Sequence, residues 1–161
     1  MIQVDTLASI GLIAVLVTLV VTGVGQGRQM RRDADVRADR SAAVKAARSE
    51  VLALTQVSTS TSDEAIRKLI AGATDDFQAQ LQDQAETFRA AVSQSKVTST
   101  GSIAAAGLTS LEGAKATVLV AASGTVKNTK ATQAAPRTYR MTVRLEKVKD
   151  RWLVAGLEFV A

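Results

Sequence analysis

The chain has 161 residues, of which 47% are apolar, and it contains one Pro but no Cys and no His. This length accommodates one modest domain and an N-terminal segment. The missing Cys and His exclude a disulfide framework, a thiolate nucleophile and the commonest general base and metal ligands. The net charge of +5 is unevenly spread, because residues 63–95 carry three basic and six acidic groups while residues 96–161 carry ten and four.

Residues 6–27 form a stretch without a charged side chain. As a helix this stretch would be roughly 33 Å long, enough to cross a bilayer core of about 30 Å. A buried core helix is the less favoured interpretation, because the remaining domain is too small to enclose a helix that is apolar all round. A cleaved signal peptide would need a basic start and a small-x-small cleavage site. We therefore predict a short tail over residues 1–5 and a retained transmembrane helix over residues 6–27.

Small and hydroxylated residues recur along the predicted span at spacings of three and four, which places them on one helix face. They are Gly11, Ala14, Thr18, Thr22 and Gly25. Such a face allows two membrane helices to approach closely, so it is a candidate interface with a partner helix. The alternative is that Gly and Thr are simply common in membrane helices.

A basic cluster, Arg28, Arg31 and Arg32, directly follows the predicted span. These residues are candidates for contact with lipid headgroups, although a solvated helix face explains them equally well. The positive-inside rule would place them in the cytoplasm, but about 130 residues follow and acidic residues are interleaved. Charge alone leaves the orientation open.

The composition of residues 28–57 strongly favours a helix, which predicts a helical neck. This neck and the predicted transmembrane helix could form one continuous helix. A second helix is expected from Ser62 or Asp63, one of which would be its N-cap, to a stop at Gly72. A third helix of about 20 residues should begin at Thr74 or Asp75 and end near Ser95. Its apolar positions repeat at helical spacing and are Phe77, Leu81, Ala85, Phe88 and Val92.

Beyond Lys96 the hydrophobic period changes to two, which predicts strands over residues 97–111, 114–126, 137–148 and 152–160. The third of these places four apolar residues on one face, namely Tyr139, Met141, Val143 and Leu145. Lys149 and Asp150 predict a tight hairpin, and residues 127–136 predict a long loop. Residues 58–161 are thus expected to form an α+β domain, with helices packed on one face of a curved antiparallel sheet of about four strands.

The order of these elements resembles that of the Mce-associated membrane proteins, which accompany Mce lipid importers in mycobacteria. The segments that carry the likeness are Val51–Leu54, Leu69–Phe77, Ala114–Val120 and Arg151–Val160. The resemblance implies the cone-shaped fold of nuclear transport factor and ketosteroid isomerase. It also implies a single-pass protein of the inner membrane with its domain on the outer, periplasmic side.

In function, the resemblance implies a non-enzymatic accessory or stabilising subunit of a complex that imports fatty acids or sterols. Its partners would be the permease and the Mce chains. No catalytic, cofactor-binding or metal-binding residue is predicted.

Nucleic-acid binding is not expected, because only 3% of the residues are aromatic and stacking platforms are therefore scarce. The basic residues near the C-terminus are instead a candidate protein-contact patch, made up of Arg140, Arg144, Lys147, Lys149 and Arg151.

Two further hypotheses concern a cavity. One is a lipid-binding module whose apolar cavity lies between Phe77, Leu81, Phe88 and the sheet. The other is a cavity enzyme, which would need a carboxyl of perturbed pKa beside Tyr139, and the carboxylates considered are Asp75, Asp76, Glu86, Glu112 and Glu158. A core filled by Met141, Trp152, Phe159 and the helix aromatics would leave room for neither ligand nor substrate.

Overall fold

A computed structural model of the chain describes the backbone of residues 4–160 and the side chains of residues 30–160. The described residues form three helices, α1 (Val4–Thr55), α2 (Ser62–Ala71) and α3 (Asp75–Gln94), and four strands, β1 (Thr98–Glu112), β2 (Lys115–Lys127), β3 (Ala135–Val148) and β4 (Arg151–Phe159). The strands form one antiparallel sheet in the order β1-β2-β3-β4. The predicted α+β class, with helices before strands, is confirmed.

Helix α1 includes both the predicted span and most of the predicted neck. The side chains of residues 6–27 lie outside the described part of the chain, and within that part no helix has the length and apolar character to cross a membrane. By backbone contacts the chain divides after Asp39 into two units. The second unit contains the end of α1 together with α2, α3 and the whole sheet.

The end of α1 contributes a stripe of small residues to the core of this second unit. Ala43, Ala47 and Val51 recur every four residues and are each 0% exposed, so they lie on one side of the helix. They share one cluster with the inner face of the sheet, which is the face carrying Val118, Met141 and Leu145. Small side chains at these positions let the helix backbone approach the strands closely.

The inner face of the sheet follows the predicted alternation. Val118 pairs with Val143 and Val120 pairs with Met141 across β2 and β3, and all four side chains are fully buried. Tyr139, on the same face, is half-buried. The period of two therefore identified the buried side of β3 correctly.

The side chains that could have filled the core completely do so only in part, which leaves room for a ligand. Met141 and Trp152 are buried, but Phe159 is 65% exposed and Phe77 is only half-buried. Phe159 is opposite Met141 at the end of β4, and its ring centroid lies 6.2 Å from that of Tyr139. Because β4 is shorter than β3, this aromatic pair lies at an open end of the inner face.

Backbone hydrogen bonds attach the connection between α2 and α3 to the edge of β4. The Thr74 N–H donates to the Val154 carbonyl at 2.9 Å, and the Val154 N–H donates to the Gly72 carbonyl at 2.8 Å. Gly72 ends α2 as predicted, and Thr74 precedes α3 with an extended backbone. These bonds position the beginning of α3 beside the sheet.

The predicted N-cap of α2 is wrong. The helix begins at Ser62, and the residue in the capping position is Thr61, whose side chain makes no capping hydrogen bond. The Thr61 hydroxyl instead accepts a hydrogen bond from the Ser58 N–H at 3.0 Å. The Ser and Thr side chains of this segment bond to one another, so they compete with capping.

The strand connections agree in part with the sequence. The hairpin at Lys149 and Asp150 is confirmed, since Val148 pairs with Arg151 and Lys149 adopts a φ of 56°. The long loop is shorter than predicted, because Val126 pairs with Ala135. Within it the Asn128 side-chain oxygen accepts hydrogen bonds from two backbone amides, which tightens the turn.

Candidate functional site

A cavity of about 290 Å³ lies between α1, α3 and β4, with a contribution from α2. Its lining is apolar apart from one carboxyl and two amides and comprises Glu50, Leu54, Leu69, Phe77, Gln80, Leu81, Gln84, Val154 and Leu157. The volume is close to the lower end of the range for small-molecule sites in proteins. The cavity is the candidate functional site of the second unit.

Helical spacing explains how the lining residues converge. Phe77, Leu81 and Gln84 are separated by four and three residues, so they occupy one face of α3. Glu50 and Leu54 are four residues apart on α1 and face the same space. The hydrogen bonds at Val154 hold β4 against the beginning of α3, and thereby close the side of the cavity formed by the sheet.

Glu50 is the chemically distinctive residue of this cavity. It is 8% exposed, and no described residue forms a hydrogen bond or an ion pair with its carboxyl. The loss of hydration on burial raises the pKa of Glu50 from 4.5 to about 7. The carboxyl is therefore present in both protonated and ionised forms near neutral pH.

Gly72 provides the space for the Glu50 carboxyl. A Cβ atom placed on Gly72 would lie 1.9 Å from the Glu50 Oε1 atom, so a side chain here would displace the carboxyl. The glycine that ends α2 thus has a second role beside the cavity. Its position is set by the hydrogen bond from Val154.

A second, smaller cavity of about 160 Å³ adjoins the first and extends it along α3. The two share Leu54, Leu69, Leu81 and Gln84, and the second adds Ile66, Ala85 and Phe88. From Phe77 to Phe88 the helix rises roughly 16 Å. Together the two cavities form an elongated apolar groove, called here the Glu50 groove.

A larger depression of about 580 Å³ lies between α1, α2 and β1. It is lined mainly by polar and small residues, and its ion pair, Lys68 with Glu64 at 2.9 Å, is well exposed. Exposed pairs of this kind contribute little to binding or stability. We therefore regard the Glu50 groove as the better candidate, although it is smaller.

The predicted membrane features are mostly outside the described side chains. This applies to the whole helix-partner stripe, Gly11, Ala14, Thr18, Thr22 and Gly25, and to Arg28. Arg31 and Arg32 are described and are exposed on α1. The interface and headgroup roles of all these residues remain predictions.

The basic residues predicted as a protein-contact patch do not form a single surface. Arg140 and Arg144 lie on the outer face of β3, where Arg144 pairs with Glu158 at 3.0 Å. Lys147 is opposite Trp152 and belongs to the other face. Lys149 lies in the hairpin turn, and Arg151 donates a hydrogen bond to the Ala71 carbonyl at 3.3 Å.

Tyr139 does not line the Glu50 groove, and its ring packs near Phe159. Among the carboxylates considered as its partners, Glu86 binds Arg89 and Glu158 binds Arg144. The others, Asp75, Asp76 and Glu112, are exposed. Among the described residues, the carboxyl whose pKa is raised by burial is Glu50, which was not among these candidates.

The sequence does contain a signal for Glu50. Ala43, Ala47, Glu50 and Leu54 follow spacings of four, three and four, so the glutamate occupies a position where an amphipathic helix has an apolar residue. A carboxylate in the apolar stripe of a helix is a candidate functional group.

Comparisons with known proteins identify relatives over most of the chain. The model of a family described as "Uncharacterized protein Rv1363c/MT1408-like" matches residues 4–161. The chain is 30% identical over 129 residues to the uncharacterized protein Rv1363c of Mycobacterium tuberculosis, covering 80% of this chain and 49% of that protein. The chain thus spans about half the length of this relative.

Two solved structures are similar in part. The intermembrane space region of the chloroplast protein ARC6 matches with a TM-score of 0.46 and 14% identity, over 73% of this chain and 96% of that one. An Ntf2-like protein involved in plasmid conjugation matches with a TM-score of 0.49 and 12% identity, over 74% of this chain and 48% of that one.

Proposed function

The chain belongs to the Rv1363c/MT1408-like family, and we propose that it is a non-enzymatic, lipid-binding protein whose α+β domain takes an apolar chain into the Glu50 groove. The observation that carries the proposal is the groove itself, which combines apolar walls with a single buried carboxyl. Few polar groups within a mostly apolar lining are typical of small-molecule sites.

The walls of the groove explain why the occupant would be apolar. Leu54, Leu69 and Leu81 border both cavities, while Phe77 and Phe88 lie toward its two ends. The two phenylalanines and Leu81 are only half-buried. Covering them would stabilise a complex by about 25 cal/mol for each Å² of apolar surface removed from water.

The second candidate function is that of an accessory or stabilising subunit of a Mce-type lipid import complex. The observation in its favour is that α1 includes both the charge-free residues 6–27 and the segment that packs on the sheet. In this proposal the chain is a single-pass protein of the inner membrane with its domain on the periplasmic side. The stripe from Gly11 to Gly25 would contact permease helices, and the domain would contact the Mce chains.

Photo-crosslinking of the full-length protein in its native membranes tests lipid binding. The probes are hexadecanol and palmitate, each carrying a diazirine in the middle of the chain. We expect adducts in the tryptic peptide of residues 69–89, which contains the groove residues of α3. Gln84→Trp should reduce them roughly tenfold or more, because Gln84 borders both cavities and an indole there would occupy the entrance.

The matched control for this variant is Gln82→Trp, which places the same side chain on the same helix at an exposed position outside the groove lining. It should be labelled like the unmodified protein. If neither probe labels the groove peptides, or if both variants are labelled equally, the lipid-binding proposal is wrong.

A pull-down of the tagged full-length protein in mild detergent tests the accessory-subunit proposal. We expect a permease, an ATPase and Mce chains to copurify in fixed stoichiometry. Gly11→Leu together with Thr18→Leu should release the permease while membrane insertion persists, because bulky side chains prevent close helix approach. Recovery of the protein alone would contradict this function.

A further inference from the structure

We propose that the Glu50 groove binds a long-chain alcohol, with the hydroxyl group of the ligand hydrogen-bonded to the Glu50 carboxyl. This inference rests on the proposed lipid-binding function and names the ligand class. It concerns the polar end of the ligand, for which the groove supplies one carboxyl and two amides.

The Glu50 carboxyl is available to a ligand that enters the cavity. Glu50 is 8% exposed, so more than nine-tenths of the residue is buried. It lines the cavity, and no described residue forms a hydrogen bond with its carboxyl. Among the described residues no side-chain oxygen or nitrogen is completely buried without a hydrogen-bond partner, so the Glu50 oxygens are open to the cavity, where a ligand hydroxyl can take the place of water. A ligand hydroxyl can both donate and accept a hydrogen bond. It can donate to the ionised carboxylate of Glu50, and it can accept from the O–H of the protonated carboxyl.

Charged ligand ends fit this site less well. The lining supplied by α1, α2, α3 and β4 contains no charged side chain besides Glu50, so nothing there would neutralise a ligand carboxylate. An ionised Glu50 would repel such an anion. An ammonium group would require a buried ion pair, whose desolvation offsets much of its attraction.

The amides of Gln80 and Gln84 are compatible with an uncharged ligand end. Both residues line the cavity from α3 and are exposed at its rim, where they can exchange hydrogen bonds with a hydroxyl or with water. Glu50 and Gln80 therefore lie at one end of the groove, Gln84 borders both cavities, and the other residues that line the far end are apolar.

The shape of the groove favours a chain over a compact molecule. The cavity at Glu50 continues past Leu81 into the smaller cavity beside Ile66 and Phe88. The corresponding length of α3 is roughly 16 Å, which suits an extended hydrocarbon tail. The tail would then lie along α3 with its hydroxyl at Glu50.

The test compares three diazirine probes with the same hexadecyl chain, ending in an alcohol, a carboxylate or an amine. The full-length protein is labelled in native membranes at pH 8, and adducts in residues 69–89 are counted relative to the Gln84→Trp background. We expect the alcohol to label roughly tenfold more than the carboxylate. Glu50→Gln keeps the shape of the side chain but removes its charge. It should raise labelling by the carboxylate probe, so that the ratio of alcohol to carboxylate labelling falls severalfold.

Glu50→Leu should lower alcohol labelling to the level of a fourth probe, which carries the same chain and diazirine but no polar end. The Trp152 fluorescence of the purified Glu50→Gln and Glu50→Leu variants verifies that each is folded. Equal labelling by alcohol and carboxylate, or stronger labelling by the amine, would overturn the alcohol assignment while leaving lipid binding intact. The absence of groove adducts with every probe would refute the lipid-binding proposal itself.

Discussion

Gly124→Ala is expected to lower the free energy of unfolding by about 3 kcal/mol, which is at the upper end for overpacking a well-fitted site. A Cβ atom at Gly124 would lie 1.8 Å from the carbonyl oxygen of Thr100 and 3.1 Å from the Cα of Gly101. Both neighbours are backbone atoms of β1, so no side chain can rotate away. The two strands would have to separate where Gly101 pairs with Gly124.

Gly107→Ala is the matched control, because a Cβ at Gly107 meets nothing within 4 Å. It should leave stability unchanged or raise it by up to about 1 kcal/mol, since Gly weakens a strand interior. Urea unfolding of the full-length protein, followed through the fluorescence of the sole tryptophan, Trp152, measures both variants. Similar midpoints for the two variants would contradict the close approach of β1 and β2.

We compare the free energy of unfolding of Glu50→Gln with that of the unmodified chain. The difference, variant minus unmodified, is expected to be about 3 kcal/mol larger at pH 8 than at pH 4.5. Burial raises the pKa of Glu50 from 4.5 to about 7 in the folded state. The folded chain therefore binds more protons than the unfolded chain between these values. Its stability is fullest below about pH 4.5, falls as the pH rises toward 7, and then no longer changes on account of this group.

The measurement is urea unfolding of the full-length protein and its variant at several values between pH 4.5 and 8. Glutamine cannot ionise, so the variant lacks the decline that Glu50 causes. The same substitution at Glu112, which is exposed at the end of β1, is the control and should show no such pH-dependent difference. The difference in free energy of unfolding between Glu50→Gln and the unmodified chain could instead stay constant with pH. That result would mean that the carboxyl is not desolvated in the folded state.

Much of the second unit could be predicted from local pattern. The four-residue repeat of α3, the glycine stop at Gly72 and the alternation along β3 each depend on neighbours in sequence, and each agrees with the structure. The N-cap of α2 was wrong because Thr61 bonds to Ser58 in the preceding turn instead of to the helix.

The candidate site could be predicted only in part. Phe77 and Leu81 were expected to border a cavity, and they do. Glu50 was not predicted, although it interrupts an apolar stripe, because the burial of its side chain depends on residues of α2, α3 and β4 that are distant in sequence. The basic residues from Arg140 to Arg151 form a cluster in sequence but divide between two faces and a turn, since alternate residues of a strand point in opposite directions.

The order of helices and strands, the buried face of β3 and the charge-free stretch of residues 6–27 all follow from local composition and from hydrophobic periods of 3.6 and two. Three other features required the folded chain: Glu50 lies largely buried beside Gly72, Phe159 is exposed, and a groove runs along α3. These features depend on distances between segments far apart in the chain. Burial, and with it the pKa of a carboxyl, is set by what packs around a residue and not by its neighbours in sequence.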